Sequence, residues 1–211
     1  MGRRTDVRRG SIPEPQELCS DPDQKALLEA RNGLLQFDRV LQLIDEAAVG
    51  DFRLRPSTIQ ELNRIAIQDK HNGAGVYRNG QVYIQGTSHQ PPPPEPVPRL
   101  VEEMCDYVNN NWTRSPVHLA SFIMWRLNWI HPFWEGNGRS SRAASYLVLC
   151  ARLGYRLPGD LTVPEQADSA WQKSVVDVSR MEDLMDAMLA KQLAEVLQEA
   201  RQSSDGTQPS R

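Results

Sequence analysis

A chain of 211 residues is long enough for one good-sized core, and one domain is the simplest division of it. Its formal net charge of −3 lacks the basic excess that nucleic-acid binding calls for. The three cysteines, Cys19, Cys105 and Cys150, are far apart, odd in number and without a CxxC pair, which argues against a disulfide framework or a zinc site and for a reducing compartment.

In chain order, residues 1–20 are rich in Arg, Pro, Glu and Ser and read as a flexible arm. The basic N-terminus is followed by no apolar run, so it is not a signal peptide. Asp6 breaks the myristoylation pattern, and no stretch is apolar for long enough to span a membrane. A cytoplasmic location with no membrane partner is therefore expected. A single domain over 21–201 should follow the arm. Asp21-Pro22-Asp23 can start a helix, and apolar residues from Leu27 to Ile44 continue at helical spacing up to Gly50. Asn32-Gly33 is expected to break or kink that run. Pro56-Ser57-Thr58-Ile59-Gln60 predicts a second helix capped by Ser57, with Gln60 completing a capping box.

Residues 75–86 carry strand formers (Val76, Tyr77, Val82, Tyr83, Ile84) around Asn79-Gly80, the pattern of a β-hairpin with a type I′ turn. Pro91 to Pro94 form a stiff spacer. Three helices are expected next, over about 97–111, over 115–130 with Ser115 as cap, and from Gly138 to a stop at Gly154. A last helical region covers 164–201, and 202–211 reads as a disordered tail. Cys105 and Cys150 lie among apolar residues and read as core, as do Trp125 and Trp129.

The chemistry is concentrated in His131-Pro132-Phe133-Trp134-Glu135-Gly136-Asn137-Gly138-Arg139-Ser140-Ser141-Arg142, where a loop becomes a helix. A helix start exposes unpaired N–H groups and binds anions. Gly136 and Gly138 let backbone approach phosphate, and the Asn137 amide can donate to a phosphate oxygen. Arg139 and Arg142 share one face of the first turn, where cations oppose the helix dipole unless an anion is bound. Glu135 beside phosphate needs a cation between them, and Mg²⁺ suits one carboxylate plus phosphate oxygens. His131, with a pKa expected near working pH, can accept a proton from a hydroxyl or water.

These residues fit every fixed position of HPFx(D/E)GNGRxxR, so residues 23–155 resemble the Fic family. The resemblance implies a mostly α, Fic-type helical bundle with one β-hairpin, the flap. It implies transfer of AMP from Mg-ATP to a Ser, Thr or Tyr hydroxyl of a target protein, with release of pyrophosphate. His131 would be the base, Glu135 the Mg²⁺ ligand, Gly136 to Gly138 with Asn137 the cradle of the α- and β-phosphates, and Arg139 and Arg142 the holders of the outer phosphates. The flap, through Val82, Tyr83 and Ile84, would hold the target by strand pairing. Many relatives carry an inhibitory (S/T)xxxE(G/N) helix. The nearest pattern here centres on Glu29, expected near Arg142, with Lys25 and Ala30 at the other fixed positions. An antitoxin-like inhibitor protein and a homodimer are partners of the kind the family implies. The alternatives are a de-AMPylating hydrolase of the same fold and a non-catalytic module that binds nucleotide or a partner. Gly138 argues against phosphorylating relatives, which carry Lys after the asparagine.

Overall fold

The computed structural model describes residues 16–84 and 89–157. The expectations for 1–15, for the 164–201 helical region and for the 202–211 tail lie outside the described residues. Five helices are present: α1 (Pro22–Val49), α2 (Pro56–Ile67), α3 (Val97–Asn110), α4 (Pro116–Ile130) and α5 (Asn137–Leu153).

Asp21 caps α1, its Oδ1 accepting from the Gln24 N–H at 2.8 Å, with Pro22 in the first turn. The helix runs unbroken through Asn32-Gly33, contrary to the expected interruption. A helical glycine costs only about 1 kcal/mol relative to alanine, and tertiary bonds flank it. The buried Asn32 amide donates to the Gln68 carbonyl at 2.7 Å, and one turn later Gln36 donates to the Leu62 carbonyl at 2.8 Å. These two bonds fasten α1 to α2.

The cap of α2 is Arg55 rather than Ser57, and no side chain bonds there. Pro56 at the first helical position has no N–H to be capped, and Gln60 reaches forward to the Gly75 carbonyl at 3.2 Å instead of back to Ser57. Ser115 does sit at the N-cap of α4, again without a side-chain bond. Gly154 ends α5 in the left-handed conformation at φ 76°, as expected of a glycine stop.

The core is built around α4, which buries Leu119, Ile123, Met124, Leu127 and Ile130. Its main partner is α5, and α3 covers another side of it. Buried hydrogen bonds tie α4 to α5: Ser145 donates to the Ala120 carbonyl at 2.9 Å and Asn128 to Ser141 Oγ at 2.7 Å. Cys105 and Cys150 are buried in this core, as expected, and Trp125 and Trp129 pack partly buried against it.

The expected hairpin is not formed within residues 75–84, and its end at 85–86 lies outside the described residues. Neither Asn79 nor Gly80 has the positive φ that a type I′ turn demands. The segment pairs elsewhere. Tyr77 forms an antiparallel bridge with Phe133, the Arg78 N–H donates to the Pro132 carbonyl at 2.9 Å, and a Cβ on Gly80 would meet the Trp134 ring at 2.7 Å. Residues 16–20, placed in the flexible arm by composition, are also held. Glu17 bridges His71, and the Leu18 N–H donates to the Lys70 carbonyl at 2.8 Å.

Candidate active site

His131 is the C-cap of α4. Its N–H donates to the Leu127 carbonyl at 2.8 Å, and its backbone is left-handed, φ 50° and ψ 59°, uncommon for a residue with a side chain. Imidazole Nδ1 lies 3.4 Å from the Asn128 carbonyl. A carbonyl only accepts, so the proton belongs on Nδ1 and the Nε2 lone pair is left to act as base. Burial first, and then the nearby Arg78 and His89, lower the His131 pKa to about 4, against a smaller upward pull from the Asn128 carbonyl. The expectation of a pKa near working pH is thus corrected: the ring is neutral and ready, but weakly basic until an anion nearby raises it.

Arg78, 2% exposed, braces this end of α4. Its Nε donates to the His131 carbonyl at 2.7 Å and Nη2 to the Ile130 carbonyl at 3.2 Å, while other bonds reach the carbonyls of Gly80 and Pro92. One guanidinium therefore satisfies orphan carbonyls of the helix terminus and ties the segment around Gly80 to the histidine.

The loop from His131 to α5 is rigid by its own bonding. Asn137 accepts from the Phe133 N–H at 2.9 Å and donates to the Phe133 carbonyl at 2.8 Å. At 3% exposure, its side chain holds the loop through its oxygen and one of its two amide N–H groups. Gly136 has φ 77°, and a Cβ there would meet Ile67 Cγ2 at 2.7 Å, so both conformation and space require glycine. The first turn of α5 has no side-chain cap. A helix start of this kind, with its N–H groups and positive dipole end, is chemically suited to receive an anion. Arg142 curls back over it, with Nη1 3.5 Å from a Cβ built on Gly138.

Glu135, on the same loop, is surrounded by cations. Its Oε1 accepts from Lys70 Nζ and, at 3.1 Å, from Arg139 Nη2. Arg139 also donates to the Ala66 carbonyl at 3.0 Å, so it braces α2 and Glu135 as well as facing the cavity. Lys70 is 2% exposed and pairs at the same Nζ with Glu29. That hydrogen bond holds the Glu29 carboxyl below the usual carboxylate range. Glu29 was expected near Arg142. The two line one cavity of about 470 Å³ between α1 and α5, but the ion pair that Glu29 makes is with Lys70. The cavity's lining combines the charged Glu29, Arg139 and Arg142 with Phe37, Val40 and Tyr146.

Glu135 Oε2 accepts no hydrogen bond among the described residues, and the side chain is 32% exposed. One hard carboxylate oxygen without a protein donor, on the loop that leads into the start of α5, fits Mg²⁺, which takes its remaining ligands from phosphate and water. No cluster of three or more His, Cys, Asp or Glu that could hold a metal occurs among the described residues.

Three residues of this site carry no local signal in the sequence: Lys70, Arg78 and Asn63. Asn63 on α2 is fully buried and donates to the Glu135 carbonyl at 2.8 Å and to Ser140 Oγ at 3.2 Å, while accepting from the Gly75 N–H at 2.9 Å. A polar residue at a core position of α2 is the only hint of it. Val82, Tyr83 and Ile84 have no strand partner among the described residues, and Tyr83 is 81% exposed.

The model of the Fic/DOC family matches residues 53–149. The chain is 31% identical over 148 residues to the protein adenylyltransferase Fic of Drosophila willistoni, a match covering 68% of this chain and 28% of that protein. The chain thus spans less than a third of the length of such relatives. Its fold is similar to that of a Fic domain containing signalling protein from Bacteroides thetaiotaomicron (TM-score 0.63, 22% identity, 83% of this chain and 73% of that one). It is similar too to Fic-1 from C. elegans (TM-score 0.60, 19% identity, 80% and 52%). A third likeness is to IbpAFic2 covalently tethered to Cdc42 (TM-score 0.54, 18% identity, 77% and 59%). No helix among the described residues is long and apolar enough to cross a membrane.

Proposed function

Because the chain belongs to the Fic/DOC family, we propose that it is a protein adenylyltransferase, moving AMP from Mg-ATP to a Ser, Thr or Tyr hydroxyl of a target protein. The observation that carries this reading is the placing of His131: its Nδ1 lies against a carbonyl, which leaves Nε2 as the acceptor, on the loop that leads into the uncapped start of α5. Nε2 would take the hydroxyl proton as the target oxygen bonds to the α-phosphorus. The bond from that phosphorus to the bridging oxygen would break, and pyrophosphate would leave. The N–H groups of Gly136 to Gly138 would hold the α- and β-phosphates and Arg142 the outer one. Asn137 and Arg139 would act by keeping the loop and Glu135 in place. Mg²⁺ on Glu135 would neutralise charge on the phosphates. Catalysis of this kind is positioning plus electrostatics.

The target would lie along residues 82–84, whose backbone has no strand partner among the described residues. Strand addition needs little side-chain specificity and suits presentation of one hydroxyl. A relative captured covalently with Cdc42 supports a protein as the acceptor. The protein incubated with cell lysate should transfer label from ATP marked at the α-phosphate and not from ATP marked at the γ-phosphate, and His131→Ala should abolish it. Transfer from γ alone would refute the proposal. Release of AMP from a modified protein, without transfer, would replace it by the hydrolase reading.

A further inference from the structure

Lys70 is an unusual residue to find where it is. Lysine is almost never fully buried unless paired, and here one Nζ at 2% side-chain exposure bridges two carboxylates, Glu29 on α1 and Glu135 on the phosphate loop. The turn that carries it is held on several sides. The Gln68 carbonyl accepts from Asn32, Asp69 pairs with Arg31, and the Lys70 carbonyl accepts from the Leu18 N–H. Asp69 is left-handed, φ 61°, a conformation that surrounding structure must impose. Three contacts from two segments, α1 and the stretch around Leu18, thus act together to hold the turn that places one ammonium on Glu135.

We propose that Lys70 is a resident counter-cation on the Glu135 carboxylate that sets its affinity for a divalent ion, with Glu29 as the lysine's second seat. The inference rests on Glu135 being the metal carboxylate, as read above. Lys70 and Arg139 together balance Glu29 and Glu135, and both cations bond the same oxygen, Oε1. A divalent ion that approaches Glu135 meets a carboxylate already neutralised. It gains most if the ammonium leans toward Glu29, and Glu29 makes that shift inexpensive by offering a bond that already exists. Without Lys70, two carboxylates close enough to have shared one ammonium are left with Arg139 as the remaining cation beside Glu135, an under-neutralised arrangement that takes up a metal ion more readily. Glu29 thereby bears on the metal through the lysine.

The test is Mn²⁺ binding to the nucleotide-free protein, read as free Mn²⁺ by electron paramagnetic resonance, which needs no turnover. Lys70→Met should raise Mn²⁺ affinity at least tenfold, and both Lys70→Met/Glu135→Gln and Lys70→Met/Glu29→Gln should lose the gain. An unchanged or lower affinity in Lys70→Met, or a gain that survives Glu135→Gln, would overturn the proposal. If Lys70→Met does not fold, Glu29→Gln serves, because that side chain is 44% exposed. It leaves the ammonium wholly on Glu135 and should lower Mn²⁺ affinity severalfold, and an unchanged value overturns the idea. Transfer of AMP plays no part in these readings. A metal response as described in a protein that never transfers label would sink the adenylyltransferase reading and leave this one standing.

Discussion

Gly136 stands at φ 77° with Ile67 Cγ2 2.7 Å from where a Cβ would be. Gly136→Ala should therefore lose about 1–3 kcal/mol in urea unfolding, from backbone strain alone before any packing shift. The pH behaviour of His131 is a second test at this scale. Its pKa is 6.5 in the unfolded chain and about 4 in the folded one, so between those values the unfolded state binds more protons. Stability should rise with pH through that window, by at most about 1.4 kcal/mol per pH unit, and level off above 6.5. His131→Asn should flatten the difference, and a nuclear magnetic resonance titration of the imidazole should show a midpoint far below 6.5. The motif residues were legible because twelve consecutive positions carry them. The pKa was not, because it depends on burial and on an arginine 53 positions away.

Among the elements, α3, α4 and α5 were readable close to their ends, since proline starts and a glycine stop are local signals. Local signals misled where tertiary bonds compete with them. Asn32-Gly33 did not break α1 because the Asn32 amide serves Gln68. Asn32→Ala should cost about 1–3 kcal/mol, the penalty of a partly buried carbonyl left without its donor and of the bond itself. The Asn79-Gly80 turn preference yields to Arg78, whose guanidinium draws its own segment onto the end of α4. Arg78→Ala should leave helical circular dichroism unchanged while making residues 77–92 markedly more sensitive to limited proteolysis. Unchanged sensitivity would mean that the other contacts of that segment suffice to hold it.

For the molecule as a whole, the core among the described residues is one cluster that includes most of the apolar side of α4, and the chain's length was enough to anticipate a single core. Leu127 lies fully buried within it, and Leu127→Ala should cost about 2–5 kcal/mol, seen as a lower Tm. What assembles around the motif was less legible. Lys70, Arg78 and Asn63 come from segments far from residue 131 in sequence, and each looks like an ordinary surface or helix residue until the fold brings it to the loop. The histidine itself stands in a different relation to the fold. It ends α4 in a conformation that glycine adopts more readily, so folding does not defend its identity. A descendant relieved of selection for chemistry could replace it at little loss of stability and persist as a well-folded, inert binding protein. On the proposed reading, the ability to react could be lost in this architecture long before the ability to fold, and the imidazole at 131 would mark selection for reactivity rather than for shape.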